Sequence, residues 1–454
     1  MRGQTSAAAQ GVLGEVLAQE AYSQSWTPDA KPDEVKVKAA EAIALLEKHR
    51  PKSSLVVVAY ASLARSERIR RNFVAETAAW RDAVRVSERQ HGSRSLSVAD
   101  TRIELSQSLF QQQRYVEAKT EADTARAIVL ETAGPTTVSA ANAHLWAGRL
   151  AGYTGDYAQS VALIRQGIKV HEASPKPVLG NLEAGYAFLV EALLARGAIA
   201  EAAQPAMSMV KRVLPTPVDD RKNRAGNQLY WYGQYLVQVG KYDEAVSMFE
   251  RVLALRIRPG FPDADSTKFL RIALAHARVR SGDYATGLTE IRALANDYSE
   301  AAATTSAAFR SKWMLALLDS EARTSDRFST LTTMFKRAET ETTTVAGMAQ
   351  SRRVVTDLQR ALAELAVEPA NAGVSASALG HARDLVRSSE TTLAPNAPQL
   401  AHDRLLLAVL LATHGDRKAA SELAAKARTA LAQTPEAAPH FRKLLPAFEA
   451  RADR

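Results

Sequence analysis

The chain has 454 residues, of which 46% are hydrophobic and 24% charged, a balance that excludes an intrinsically disordered chain. The absence of cysteine excludes disulfides, thiolate nucleophiles, iron–sulfur clusters and cysteine-ligated zinc. The formal net charge is +9, but the basic runs, such as Arg68 with Arg70 and Arg71, are short and lack interleaved aromatic residues. We therefore expect a solvated basic surface and no nucleic-acid partner, with a nucleic-acid-binding solenoid as the weaker alternative.

The N-terminal part predicts a helix pair, with a first helix over residues 12–22 and a second over residues 32–49. Glu15 and Glu20 lie where the apolar core of a secretory signal would be, so no signal peptide is expected. No stretch approaches about 18 consecutive uncharged apolar residues, the length that a membrane-spanning helix needs. We expect no membrane insertion and a cytoplasmic location, or a periplasmic one if the chain is a fragment of a membrane-anchored protein.

From residue 73 onward, one short pattern recurs: a small or polar residue, a polar residue, an aromatic residue that we call the anchor, two variable residues and a small residue. The best copies are GDYAQS, GKYDEA and GDYATG. Successive anchors are separated by 42, 42, 42, 43, 42 and 44 residues, and two less regular units follow near Gly373 and Arg417. Such a period is typical of stacked repeats. The first seven anchor positions are Phe73, Tyr115, Tyr157, Ile199, Tyr242, Tyr284 and Phe328.

Each unit predicts two helices. Before one anchor, apolar residues recur at spacings of three and four from Leu229 to Val239, and after it they recur from Ala245 to Leu255. Gly240 is suited to end the first helix, and acidic residues follow in the first turn of the second. The longer connections between units contain proline or glycine, which stop helices. These residues are Pro175, Pro177, Pro215, Pro217, Pro259, Gly260 and Pro262.

The repeat resembles that of tetratricopeptide repeat (TPR) proteins, in the long variant found in kinesin light chains and many bacterial proteins. In one unit the matching residues are Gly233, Gly240, Tyr242, Ala245 and Phe249, and in another they are Gly148, Gly155, Tyr157 and Ile164. The segment HGSRSLSVA is similar to the connector of that variant, with Leu96 in place of its proline. The chain departs from the pattern at Ile199, Gly287, Ser160 and Arg417, and the resemblance is looser after residue 300.

The resemblance implies an all-α fold, a right-handed α-solenoid of stacked antiparallel helix pairs with a concave groove lined by the first helix of each pair. It also implies an organisation into an N-terminal pair (1–50), core repeats (51–300), irregular Thr-rich repeats with a kink (301–370), and C-terminal repeats with a capping helix (371–454). A partner peptide or helix would bind in the groove. By position relative to the anchor, the groove-facing residues are Gln107, Asn142, Arg149, Tyr153, Asn227, Tyr230, Gln234, His276 and Arg280.

No motif predicts catalysis. The segment from Gly233 to Tyr242 has too long a glycine spacing for a phosphate-binding loop, and its tyrosine stands where a magnesium-binding hydroxyl residue is required. The nine histidines are scattered without metal-ligand spacing, and we interpret them as surface or groove residues. Asp219 and Asp220 lie in a proline-flanked connector and are interpreted as turn residues. We expect a protein that is not an enzyme and has no cofactor and no metal.

These observations favour a protein–protein interaction scaffold, or adaptor, whose partner is another protein or a peptide. The alternative is a regulatory or sensory repeat tail of a bacterial serine/threonine kinase or transcriptional regulator, whose effector domain is absent from this chain. The sequence indicates no oligomeric state.

Overall fold

The computed structural model describes residues 6–27, 30–176, 178–213, 224–256, 265–304, 306–319, 324–344, 349–368 and 376–452. Every regular element in these ranges is helical. None of these helices is both long enough and apolar enough to cross a bilayer. Four features discussed above lie outside the described residues: Pro177, the connectors at residues 215–217 and 259–262, the pair Asp219 and Asp220, and the weak repeat at Gly373.

The helices are, in chain order, α1 Ala7–Ser25, α2 Pro32–His49, α3 Leu55–Ile69, α4 Phe73–His91, α5 Leu96–Gln111, α6 Tyr115–Thr132, α7 Val138–Tyr153, α8 Tyr157–Ala173, α9 Leu179–Ala195, α10 Ile199–Val213, α11 Arg224–Gln238, α12 Tyr242–Arg256, α13 Asp265–Ser281, α14 Tyr284–Ala295, α15 Ala307–Leu318, α16 Thr324–Thr344, α17 Ala349–Ala366, α18 Ala376–Thr392, α19 Pro398–Thr413, α20 Arg417–Ala432 and α21 Leu445–Ala452. Among them, α11 packs beside α12 within a pair, and α12 packs beside α13 between pairs. This stacking confirms the predicted all-α solenoid.

The anchors mark the starts of the second helices, as the repeat predicts. An anchor is the first residue of α4, α6, α8, α10, α12, α14 and α20. The exception is Phe328, which lies inside α16, because that helix begins earlier, at Thr324. The Thr-rich stretch is therefore part of a 21-residue helix, whose Leu331 and Met334 are buried. The proposed division of the chain at residues 50, 300 and 370 stays a prediction.

The turn before each of these seven helices has one backbone feature in common. The residue two positions before the anchor has a positive φ, a conformation that costs a residue with a side chain roughly 1–2 kcal/mol. Glycine therefore occupies five of the seven positions. The residues are Arg71 (φ 59°), Gln113 (φ 60°), Gly155 (φ 91°), Gly197 (φ 73°), Gly240 (φ 76°), Gly282 (φ 105°) and Gly415 (φ 88°).

The exception at Gln113 gives a testable prediction. Because Gln113 is exposed and has a left-handed backbone, Gln113→Gly is expected to raise the free energy of unfolding by about 0.5–1 kcal/mol. The matched control is Gly415→Ala, which adds a side chain to open space at φ 88° and is expected to lower it by about 1 kcal/mol. Urea denaturation followed by circular dichroism measures both. If the free energy of unfolding changed in the same direction in both variants, the positive φ would not be what controls stability at these turns.

The chain divides into two compact units. Unit 1 comprises Met1–Ala151 and Gln166–Pro177, and unit 2 comprises Gly152–Arg165 and Val178–Arg454. The largest core cluster of unit 1 packs alanines around larger side chains that include Leu46, Trp80, Leu109 and Leu150. Small residues at helix crossings let the helices of a pair lie close together.

Two backbone hydrogen bonds join the early and the late helix pairs of unit 2, and we call this contact the closure of unit 2. The amide of Ala394 donates to the carbonyl of Arg196 at 2.8 Å, and the amide of Ala438 donates to the carbonyl of Gln238 at 2.9 Å. Two consecutive turns of the early pairs thus contact the α18–α19 loop and the segment after α20. That segment forms a 3₁₀ turn at Pro439–Arg442 followed by α21, where the sequence predicts one capping helix. The closure makes the early and late helices of unit 2 neighbours.

Candidate functional site

All nine residues that the resemblance places in the groove lie on the first helix of a pair, on α5, α7, α11 or α13, and all are partly exposed. Gln107, Asn142 and Arg149 belong to unit 1. The other six, from Tyr153 to Arg280, belong to unit 2. Their role in binding a partner stays a prediction.

In unit 1, two of the three residues have defined contacts. The Asn142 side-chain oxygen lies 2.9 Å from Nε2 of His171. The Arg149 guanidinium lies over the rings of Phe110 and Trp146, at 4.9 and 5.8 Å from their centroids. Cation–π contacts of this kind hold a long side chain in place while leaving its edge open to hydrogen bonding.

In unit 2, Asn227, Tyr230 and Gln234 follow one another at spacings of three and four residues and so share one face of α11. The Tyr230 ring is fixed between neighbours, with its centroid 5.2 Å from that of Trp231 and 5.9 Å from that of Phe249. Tyr153 is also partly exposed, at the end of α7.

The structure adds a set of residues that the repeat pattern did not identify. Arg353, Asp357, Arg360 and Glu364 are spaced by four, three and four residues and form a charged stripe along α17. We call this set the α17 stripe. Repeated spacings of three and four among charged residues were visible in the sequence, but nothing there showed which surface they would face.

Arg353 shows which helices lie near the stripe. The protein around Arg353 partly desolvates it and lowers its pKa, but Asp357, together with Tyr157, Tyr230 and Glu191, raises the pKa by more, and the net shift is upward. Three of these residues lie on α8, α9 and α11, yet Arg353 itself is exposed to solvent. Arg353, at the N-terminal end of the stripe, therefore lies within electrostatic range of α8, α9 and α11, and we call the solvent-exposed space beside it the unit 2 lumen.

The middle of the stripe is tied to α19 by a buried ionic network. The Arg360 guanidinium donates to both carboxylate oxygens of Asp403, from Nε at 2.8 Å and Nη2 at 3.2 Å. Asp403 has no exposed surface and also accepts from Ser389 at 2.7 Å and Gln399 at 3.2 Å. Asp357 accepts a further bond from Arg360 at 2.8 Å. Every oxygen of the buried carboxylate is thus hydrogen-bonded, as burial of a charge requires.

The C-terminal end of the stripe meets three histidines. Nε2 of the buried His402 lies 3.0 Å from the Glu364 carboxylate, which also has Lys443 Nζ at 3.8 Å. On α13, Arg280 donates from Nε to Nε2 of His276 at 3.2 Å. In the 3₁₀ turn, His440 Nδ1 lies 3.2 Å from the hydroxyl of Tyr242. In the described part of the chain, no three histidine or acidic side chains are arranged to hold a metal ion.

These surroundings shift three pKa values. Burial, and then the charges of Arg280 and Arg310, lower the pKa of His276 to about 3. Burial and the neighbouring Arg280 lower the pKa of His440 to about 2. Burial raises the pKa of Glu364, but the hydrogen bond from His402 and the charge of Lys443 outweigh it, and the net shift is downward.

The lowered pKa values of His276 and His440 predict that the folded protein loses stability in acid. Below about pH 6.5 the unfolded chain takes up protons that folded His276 and His440 do not, so stability is expected to fall as the pH decreases from about 6.5 toward 4. His276→Gln keeps an acceptor for Arg280 but removes one titrating group, so the fall should be shallower. Thermal unfolding across this range measures the slope. The control is His91→Gln at the exposed end of α4, and equal slopes for the two variants would contradict the assignment to His276.

A cavity of about 580 Å³ lies beside this cluster. It is bordered by the ends of α13, α15 and α17, the starts of α12 and α14, and the C-terminal segment. Its lining residues are Tyr242, Val279, Arg280, Tyr284, Leu317, Leu318, Arg327, Glu364, Val367, Glu368, Lys443, Leu444 and Ala447.

By sequence, the chain matches no protein-family model and no curated protein. Its structure is similar to that of a Rap protein complexed with Competence and Sporulation Factor, with a TM-score of 0.57 at 13% identity over 84% of this chain and 99% of that chain. It is also similar to the apo quorum sensor NprR from B. thuringiensis (TM-score 0.52, 12% identity, 82% and 97% covered). NprR in complex with its cognate peptide NprX gives a TM-score of 0.52 at 12% identity, with 83% and 98% covered.

The chain has a TPR-like fold. Within this TPR-like protein, Gly233 lies inside α11 against Phe249 and Gly240 in the following turn, so both glycines belong to the repeat and form no phosphate-binding loop. The interpretation of the histidines as surface or groove residues is wrong for His144, His171 and His402, which are buried in helix packing. A single sequence gives no signal for this burial, because it depends on which helices meet.

Proposed function

We propose that this TPR-like protein is an interaction scaffold that holds an extended or helical segment of a partner against the unit 2 lumen. The observation that supports it most directly is the exposure of Arg353. Its side chain is exposed although residues of α8, α9 and α11 lie within electrostatic range of it. A concave, wetted surface lined by several helices is the kind of site in which helical repeat proteins bind extended segments.

The α11 face suits such a role chemically. The amides of Asn227 and Gln234 each offer both donors and an acceptor, as a peptide backbone requires. Tyr230 lies between them and is fixed by Trp231 and Phe249, so it offers contact area at a low entropic cost. An amide–tyrosine–amide face therefore supports peptide binding without a strict sequence requirement.

The comparisons favour a peptide as the partner. One structure of the same fold contains NprR with its cognate peptide NprX, and another contains a Rap protein with Competence and Sporulation Factor. We propose a bound peptide or helix for this chain by analogy of fold together with the lumen described above. No enzymatic activity is part of the proposal, and the absence of a nucleic-acid partner stays a prediction.

Panning a random peptide phage library against the full chain tests the proposal. Enriched peptides are then titrated against a variant in which Asn227, Tyr230 and Gln234 are all alanine, and a loss of affinity of about tenfold or more is expected. The matched control replaces Gln204, Met207 and Lys211, which have the same spacing on the exposed face of α10, and should leave affinity unchanged. Failure to enrich any peptide, or equal effects of the two triple variants, would count against the lumen as the binding site.

The second candidate is the regulatory or sensory role, because the chain has the fold of a quorum sensor, NprR. In this case the repeats would respond to a peptide and act on an effector domain encoded elsewhere. Sequencing the DNA upstream of Met1 checks this candidate. An in-frame kinase or DNA-binding region would support it, and a stop codon without such a region would favour the independent scaffold.

A further inference from the structure

The cavity beside Glu364 is lined by both apolar and charged side chains. The apolar ones include Val279, Leu317, Leu318, Val367 and Leu444, and Arg280 is among the charged ones. Tyr284 also lines the cavity and is 61% exposed, which is unusual for a large aromatic side chain. The volume of about 580 Å³ lies within the range of roughly 300–1,000 Å³ that is typical of small-ligand sites.

The charged residues that line this cavity differ in whether they have an ion-pair partner. Arg327 pairs with Glu368 at 3.4 Å. Glu364 has His402 at 3.0 Å and Lys443 at 3.8 Å. Arg280 differs, because its hydrogen bond goes to a histidine nitrogen, and within the described ranges no ion pair joins it to a carboxylate. An arginine that lines a cavity and has no carboxylate within ion-pair distance is suited to bind one from a ligand.

The neighbouring histidines support an excess of positive charge at this place. Arg280 contributes to the lowered pKa values of both His276 and His440, and Arg310 contributes to that of His276. A second guanidinium, that of Arg310, lies on α15, the first helix of the following pair. It is 6.0 Å from the ring centroids of Phe269 and Trp313. Both histidines are therefore neutral near pH 7, and the Glu364 carboxylate, which already has His402 and Lys443 as partners, offsets only part of the guanidinium charge.

We propose that this cavity binds an amphipathic carboxylic acid, with the carboxylate on Arg280 and the apolar part against Leu317, Leu318 and the other apolar side chains. Two sources supply this chemistry: a free acid with an alkyl chain, and the last residue of a chain that has an apolar side chain. The site is separate from the α11 face that carries the proposed peptide binding. Acid binding can therefore succeed or fail independently of that function.

Isothermal titration calorimetry of the full chain with octanoate, octylamine, N-acetyl-leucine and N-acetyl-leucinamide tests the proposal. Octanoate or N-acetyl-leucine should bind, and octylamine and N-acetyl-leucinamide should bind at least about tenfold more weakly because they lack the carboxylate. Tighter binding of octanoate identifies a free acid as the ligand, whereas tighter binding of N-acetyl-leucine identifies a chain terminus. No binding of either acid would overturn the proposal.

Two variants locate the site. Arg280→Gln keeps the length and polarity of the side chain but removes its charge, and should weaken acid binding by about tenfold or more. Leu318 is partly exposed and lines the cavity, so Leu318→Gln should weaken octanoate binding by removing apolar contact with the alkyl chain. The matched control is Arg278→Gln, because Arg278 lies on the same helix and pairs with Glu250 and Glu290 outside the cavity. Unchanged acid binding in Arg280→Gln, or an equal loss in Arg278→Gln, would overturn the assignment.

Discussion

Replacing Asp403 with alanine is expected to destabilise unit 2 by about 3–5 kcal/mol, because it leaves the charge of Arg360 without its main partner in a buried network. Asp403 is fully buried and accepts from Arg360, Ser389 and Gln399. Asp357 would still neutralise part of the arginine charge, but it is only one of two carboxylates that hold this side chain. The midpoint of urea unfolding of the full chain, followed by circular dichroism, measures the loss.

The matched control for Asp403 is Asp384→Ala. Asp384 also pairs with an arginine, Arg387 at 2.9 Å, but both side chains are largely exposed, so a change within about 0.5 kcal/mol is expected. The double variant Arg360→Met with Asp403→Leu should recover much of the stability, since an apolar pair replaces a buried ionic one. A loss below about 1 kcal/mol in Asp403→Ala would show that water replaces the missing carboxylate.

The second large effect is expected at Phe249. Its side chain has no exposed surface and packs between α11 and α12, where Gly233 faces its ring. Phe249→Ala removes a fully buried aromatic ring and leaves a cavity between two packed helices. We therefore expect the free energy of unfolding to fall by about 3–5 kcal/mol. Tyr284→Ala is the control, because that anchor is 61% exposed and its loss should cost much less. Both are measured by thermal and urea unfolding.

Gly233 provides an independent check on this crossing. A Cβ at residue 233 would lie 2.5 Å from Cε1 of Phe249, closer than real contacts allow. Gly233→Ala should therefore lower the free energy of unfolding by about 1–3 kcal/mol through overpacking. The higher helix propensity of alanine offsets part of this loss. Combining it with Phe249→Leu should cost less than the sum of the single changes, because the smaller side chain makes room for the new methyl group. Additive effects would show that the two residues do not share this space.

The closure of unit 2 connects these stability predictions with the proposed sites. Ala438 and His440 of the C-terminal segment contact Gln238 and Tyr242 near the α11–α12 turn, and Tyr242 also lines the cavity. Arg360 and Asp403 join α17 to α19 within the same unit. A loosened network at Asp403 is thus expected to weaken ligand binding at Arg280 indirectly, because the position of Glu364 depends on the same helix.

The repeat and its local geometry follow from the spacing of residues along the chain. The anchor spacing predicted where α4, α6, α8, α10, α12, α14 and α20 begin, because a helix start depends on residues only a few positions away. The left-handed turn residue and the first residue of the second helix are set by backbone sterics and by capping. The helix boundary at Thr324 departs from this rule, because α16 begins four residues before Phe328.

Which residues meet across the fold depends on the packing of distant helices. Glu364, His402, Arg280 and Lys443 come from three helices and a terminal segment, and Tyr242 contacts His440 across 198 positions of sequence. In solenoids each helix pair is rotated slightly relative to the one before it, and the curvature is the sum of these rotations. No single repeat encodes that sum, so the α17 stripe, the lumen and the cavity could not be read from the period alone.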